Sequence, residues 1–352
     1  MKPAPVTRPG DAFLDALEPG LLGAIGGRRV VSPLGELGSR RFLFVTGKGG
    51  VGKTTVSAAI AMALAARGQR VLIAMCNTKE RLSAILGTPP IGDDVVECLP
   101  GVSAVNIEPE KALAEYGAMV LRVKAVSNAI FGSDNFRAFF RAVPGLYEWA
   151  MLGKAWFHTT ETERGKNRYD VVLFDAPATG HGLDMLRVPR IILDVAPPGV
   201  LRRDAERATQ LFEDPVRSGV VVVTLPEEMP VTETIELVTA LRNELRFPVL
   251  QLAVNAVLPP LFTDGERAEL VARHELLTSD APRRAQGSGQ AAIVAGARRA
   301  LREQVQRDSL RRLTSAVDAP MFLLPHLFDD ASTREGTRLL ADVLGAPVVA
   351  GR

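Results

Sequence analysis

The residues best placed to do chemistry lie in Gly47-Lys48-Gly49-Gly50-Val51-Gly52-Lys53-Thr54, followed by Thr55. The spacing is G-x-x-x-x-G-K-[ST], a phosphate-binding loop when it stands between a strand and a helix. Here it follows the apolar run Phe42 to Thr46 and opens an alanine-rich stretch, Thr54 to Arg67, that ends at Gly68. Glycines let successive backbone N–H groups turn inward onto phosphate oxygens, and the helix N-terminus adds partial positive charge. In such a loop Lys53 reaches the β- and γ-phosphates of ATP, and the Thr54 hydroxyl ligates Mg²⁺. A second centre is Asp175, directly after the apolar run Val171 to Phe174. A carboxylate at the carboxyl end of a parallel strand can hold Mg²⁺ through water beside such a loop. Together these residues predict ATP binding and hydrolysis.

Positioning them requires a parallel sheet. Arg70 to Cys76 reads as a strand after the Thr54–Arg67 helix, and parallel neighbours need such a crossover. Further strands are expected at Ser103 to Ile107, Val220 to Thr224, Val249 to Val254 and Met321 to Leu324. All are apolar runs with little alternation, as in strands buried on both faces. Helices are expected at Glu233 to Leu245, Ile293 to Leu313 and Ser332 to Leu344. The predicted class is α/β, a doubly wound, mainly parallel sheet of the P-loop NTPase type. Residues 41–345 form its domain, with helical insertions at about 110–165 and 260–315. Residues 1–40, rich in Pro and Gly with a helical hint at Ala12 to Leu22, read as an appendage, and 346–352 as a tail.

Composition narrows the partners. The 352 residues carry a formal charge of +2, so no concentrated basic face for nucleic acid is expected. No stretch is apolar for long enough to span a membrane. Two cysteines are too few for a disulfide framework, and a cytoplasmic protein is the expectation. The basic residues from Arg298 to Arg312, with Glu303 and Asp308 among them, read as a solvated helix face.

Lys48, directly after the first glycine, resembles the deviant loop of the group containing MinD, ParA, the nitrogenase iron protein and ArsA. In that group this lysine reaches the partner subunit's nucleotide across a dimer. Asp175-Ala176-Pro177-Ala178-Thr179-Gly180-His181 narrows the resemblance, being similar to the D-x-A-P-T-G-H switch II of the ArsA family. That family includes arsenite-pump ATPases and the ATPase that targets tail-anchored membrane proteins. Ile107-Glu108-Pro109 with Ala112, Glu115 and Tyr116, Pro144-Gly145-Leu146 with Glu148, and Pro226-Glu227 before Thr232-Glu233-Thr234 resemble further family segments. Val254-Asn255 resembles the pair whose asparagine reads adenine, and Leu324-Pro325 the segment that closes over the base.

The resemblance implies a homodimer, or a heterodimer with a paralogous ATPase, that handles cargo or a partner protein. A client would take an apolar helical groove built from residues of the 112–157 insertion, such as Leu113, Val126, Phe139, Trp149 and Trp156, unless these are core. A peripheral membrane link is compatible with it. Two departures stand out. The family's switch I opens on an aspartate that positions the attacking water, and here the aligned stretch is Asn77-Thr78-Lys79-Glu80. Slow turnover, or a weakly hydrolysing subunit that works beside an active paralogue, follows from Asn77 in the catalytic position, unless Glu80 substitutes. The family's cysteine triad and C-x-x-C zinc pair have no counterpart, since Cys76 and Cys98 stand alone. This argues against an arsenite pump. A ParA- or MinD-like positioning role lacks the basic surface or terminal amphipathic helix it needs.

Overall fold

The computed structural model describes residues 33–76, 79–121, 145–177, 179–279, 288–328 and 332–345, with the backbone alone at 119–121, 179–181, 274–279 and 288–290. The elements in chain order are α1 (Leu34–Leu37), β1 (Phe42–Gly47), α2 (Lys53–Ala65), β2 (Val71–Cys76), α3 (Leu82–Leu86), β3 (Val96–Leu99), β4 (Val102–Ile107) and α4 (Pro109–Leu121). Then come α5 (Leu146–His158), β5 (Thr162–Glu163), β6 (Lys166–Asn167), β7 (Val171–Asp175), α6 (Thr179–Val195), α7 (Val200–Phe212), β8 (Ser218–Thr224) and α8 (Glu228–Ala240). A π-helical turn (Leu241–Leu245) precedes β9 (Val249–Val257), α9 (Asp264–Ser279), α10 (Ser288–Ala316), β10 (Met321–Pro325) and α11 (Arg334–Gly345).

Eight strands form one sheet in the order β10-β9-β8-β1-β7-β2-β4-β3. Every pairing is parallel except that of β3 on β4. This is the expected α/β class. β1, β2, β7 and β8 are buried along their whole length, because helices cover both faces. Phe44 stacks on Phe174 of the neighbouring β7 at 5.1 Å, and Phe42 meets Phe212 of α7 at 4.9 Å, fixing register and layer together. α2 buries residues around most of its circumference, which its alanines allow by letting neighbours approach closely.

Several boundaries differ from the sequence reading for identifiable reasons. α8 begins at Glu228, five residues before the expected Glu233, because Pro230 falls in the first turn, where a missing N–H costs nothing. β3 went unpredicted: Val96-Glu97-Cys98-Leu99 is short, charged and half exposed, as suits an antiparallel edge. The end of the presumed appendage packs on the body: Leu34 and Leu37 are buried, and Gln251 donates to Glu36 at 2.9 Å.

In the first insertion α4 packs on α5. Leu113, Trp149, Met151 and Leu152 are buried there, so these positions of the apolar stripes are core. Val126 and Phe139 lie outside the described residues, as do the Ala12–Leu22 segment and the 346–352 tail. No helix among the described residues is long and apolar enough to cross a membrane.

Candidate functional site

Parallel strands point their carboxyl ends to one edge of the sheet, where a crevice opens at a topological switch point. The phosphate loop leaves β1 there, between β8 and β7. Gly47 takes φ +150°, and a Cβ on it would lie 2.2 Å from the Val223 carbonyl oxygen of β8. Gly52 sits at φ +87°, where a Cβ would come within 2.4 Å of Asn255 Nδ2. These two positions require glycine by backbone conformation and by crowding together. The Asn255 amide donates to the Val51 carbonyl at 2.9 Å, so the end of β9 is tied directly to the loop.

Lys53 opens α2 and folds its ammonium back over the loop, donating to the carbonyls of Gly47 at 3.2 Å and Lys48 at 3.0 Å. Burial lowers its pKa, and Asp175 opposes that effect. Thr54 Oγ1 donates to Asp175 Oδ2 at 2.6 Å, and Ser57 Oγ donates to Oδ1 at 3.1 Å. Asp175 is only 4% exposed. Its pKa is raised by burial, against the pull of both hydroxyls and of Lys53. A buried carboxylate beside a threonine hydroxyl is a hard-oxygen donor set suited to Mg²⁺. Ser57 is a member that motif reading passed over, since the motif ends at Thr54. It falls one helical turn after Lys53, on the same face.

Lys48 points elsewhere. Its ammonium pairs with Glu233 Oε1 of α8 at 2.5 Å, with both side chains about one-third exposed. Asn77 and Thr78, which follow directly after β2, lie outside the described residues. Glu80 is described, and it is occupied. It accepts from the Ser83 backbone N–H at 2.6 Å and from Ser83 Oγ at 2.6 Å, capping the first turn of α3 with one oxygen and holding the serine side chain with the other.

A cleft of about 610 Å³ adjoins the loop. Gly50, Val51, Gly52 and Thr55 line one side, and Asn255 and Pro325 line another. Six of the sequence-predicted residues thus share one cavity, and beside it Lys53 and Thr54 of the first turn of α2 face Asp175 at the carboxyl end of β7. Gly49 lies in the same loop, exposed. Pro226 and Glu227, also singled out in the sequence, line it too, whereas sequence reading missed Leu301, Arg302, Val305 and Gln306 of α10 and His326. Burial and the nearby Arg302 and Arg299 lower the His326 pKa, favouring the neutral ring. The expectation that 298–312 is a solvated face fails at Glu303, Gln306 and Ser309, all buried. A helical wheel gives charge pattern but not which face a distant loop covers.

Away from the loop, Tyr116 donates to Asp204 at 3.1 Å and sets its ring edge-on to Trp149 at 6.3 Å. With the more exposed Trp156 and Phe157 these rings border a cavity of about 250 Å³ between α4 and α5. Cys76 closes β2 opposite Ile107, at the carboxyl end of β4. Cys98 lies beside Glu97 and Leu99, which pair with Ser103 and Val102 at the other end of β4. Both thiols are free, and burial raises the pKa of each.

Known proteins resemble this chain in sequence. The model of the anion-transporting ATPase family matches residues 40–196. The chain is 30% identical over 244 residues to the ATPase BagA of Mycobacterium tuberculosis, a match spanning 66% of this chain and 70% of that protein. It is 28% identical over 249 residues to an arsenical pump-driving ATPase of Escherichia coli, covering 62% of this chain and 40% of that one. With the ATPase GET3 of Kluyveromyces lactis it shares 34% over 165 residues, 43% of this chain and 46% of that protein. The segment matched by the family model includes the phosphate loop, and the chain belongs to the ArsA family of ATP-hydrolysing enzymes.

Proposed function

We propose that the protein is a Mg²⁺-dependent ATPase that works as a nucleotide-gated dimer and turns over slowly by itself. One observation carries the reading of the site: Thr54 and Ser57 both donate to the buried carboxylate of Asp175 beside the loop, within the electrostatic reach of Lys53. Backbone N–H groups from Gly47 to Thr55 hold the phosphates, and Lys53 exchanges its two carbonyl partners for the β- and γ-oxygens. Thr54 and Asp175 are the residues that would hold Mg²⁺, which neutralises charge developing on the transferred phosphoryl group. The base occupies the cleft between Asn255, Pro325 and α10. Water attacks the γ-phosphorus in line with the departing ADP.

Lys48 is the residue we assign to the second subunit's nucleotide. Its support is the deviant loop and its present orientation, toward Glu233 rather than its own phosphate site. Slow turnover is supported by two features. Position 77 is an amide, and Glu80, the nearest carboxylate in that segment, is committed to Ser83. These same features favour a second reading, a weakly hydrolysing subunit paired with an active paralogue. Its cargo we take to be a partner protein, engaged near the α4–α5 cavity, where Phe157 is exposed. We do not assign arsenical transport, because thiols at opposite ends of β4 cannot converge on one soft ion. Unpaired thiols suit the cytoplasm.

The test is phosphate release at saturating ATP, with and without Mg²⁺, over a hundredfold range of protein concentration. The proposal expects Mg²⁺ dependence and a specific rate that rises with concentration until dimers dominate. A concentration-independent rate would contradict the dimer.

A further inference from the structure

Ala256 and Leu258 line the cleft, and from Leu258 the chain runs on without regular structure to Asp264. Irregular backbone beside a cavity must have its polar groups satisfied from elsewhere. α10 satisfies them. Gln306, 3% exposed, accepts from the Leu258 N–H at 2.9 Å and donates to the Leu258 carbonyl at 2.9 Å, imitating a strand partner. One turn earlier Glu303, 2% exposed, accepts from the Leu261 N–H at 3.0 Å. Glu303 is itself held by Arg299 at 2.8 Å and by the buried Arg267 of α9 at 3.4 Å. Arg267 also donates to the Phe262 carbonyl at 2.7 Å.

The clasp sits next to strain. Ala256 has φ +55°, an unusual value for a residue with a Cβ, and it lines the cleft between Asn255 and Leu258. The β9–β10 register shifts at the same level, where Pro325 pairs with Val257. A residue persists in such a conformation only when its surroundings over-determine it, and such residues cluster at ligand clamps. Here the phosphate loop fixes Asn255 from one side through Val51, and Gln306 fixes Leu258 from the other.

We propose that Gln306 and Glu303 are positioning residues for nucleotide binding. They hold the 256–261 segment against the base, so the α9–α10 hairpin sets affinity for the base without altering the phosphate site. This rests on the cleft being the nucleotide site. The hairpin also supplies Leu301 and Val305 to the cleft as apolar surface for the face of the ring.

The discriminating experiment compares equilibrium binding of ATP with that of inorganic tripolyphosphate, which fills the phosphate loop but lacks a base. The ratio of the two affinities is insensitive to any unfolded fraction. In Gln306→Leu the preference for ATP over tripolyphosphate should fall about tenfold, with tripolyphosphate affinity unchanged and KM for ATP raised more than kcat is lowered. Gln306→Glu keeps the acceptor for Leu258 N–H and should fall by roughly threefold, which retains a readout if the leucine variant folds poorly. Glu303→Gln should shift in the same direction as these. Equal loss of both ligands, or an unchanged ratio in all three variants, would overturn the proposal. Parent protein that binds both ligands equally, or neither, would instead overturn the placement of the nucleotide.

Discussion

Replacing Asp175 by Asn should stabilise the ligand-free protein while removing Mg²⁺-dependent turnover. The sign follows from the surroundings of the carboxylate. Two hydroxyls donate to it and Lys53 attracts it, yet burial dominates and raises its pKa. The native state therefore disfavours the charge. Asn is nearly isosteric. Its oxygen can still accept from one hydroxyl and its NH₂ can donate to the other after that hydroxyl rotates, so both contacts survive as neutral hydrogen bonds. Single stabilising substitutions commonly yield about 0.5–2 kcal/mol, and this one is taken to fall in that range. With an unfolding entropy of about 2.1 cal/mol/K per residue, a chain of this length gains roughly 1–3 °C in Tm. Because the folded pKa lies above the ordinary 3.8, the parent's stability from this group is full below that value and is lost as pH rises through the folded pKa. The advantage of the variant should thus be absent near pH 3 and reach its plateau by neutral pH. Turnover should fall by about 10³-fold, near 4 kcal/mol of barrier, through loss of the metal's charged ligand. Scanning calorimetry without nucleotide, paired with phosphate release, reads both. A Tm lowered by several degrees at all pH values would refute the penalised-carboxylate argument. Turnover within about tenfold of the parent would refute the metal role.

Other consequences can be checked separately. Asn77→Asp should raise single-turnover hydrolysis by about tenfold, close to 1.4 kcal/mol, whereas Glu80→Gln should change it less than about twofold because Glu80 caps α3. A large loss in Glu80→Gln would name that residue as the water-positioning group. Gly52→Ala should weaken ATP binding by at least about tenfold in equilibrium titration, since the new Cβ meets Asn255 Nδ2 and adopts an unfavourable φ. Maleimide should label Cys98 in the folded protein and Cys76 only after denaturation, by peptide mass mapping, because Cys76 is buried at the end of β2.

What the sequence disclosed, and what it withheld, divides along physical lines. β1, the phosphate loop and α2 were legible because local steric demands fix them: Gly47 and Gly52 sit where no side chain fits. The carboxyl-edge position of Asp175 followed from an apolar run ending in a carboxylate. Ser57 and Glu233 were less legible, since their partners Asp175 and Lys48 lie 118 and 185 positions away. The α10 wall was hidden for a related reason. Gln306 and Glu303 resemble any solvated polar residues on a helix until the loop they satisfy is placed beside them. The occupation of Glu80 by Ser83 is local, three residues apart, but it runs in the reverse order of the usual Ser-to-Glu capping box and so carries no familiar signature.

The most direct measurement of the central claim mixes two inactive variants. Lys53→Ala should lose ATP binding and turnover, because the phosphates lose their nearest fixed cation. Lys48→Ala should keep binding and lose turnover, because the missing ammonium acts on the other subunit's nucleotide. In a mixed dimer the Lys48→Ala subunit binds ATP and its Lys53→Ala partner supplies Lys48. Random assortment then predicts recovery to about a quarter of the parent rate, half of the dimers being mixed and each having one competent site. Recovery near that level upon mixing is the result expected. Two variants that each hydrolyse ATP at the parent rate, or a mixture as inactive as its components, would contradict the account.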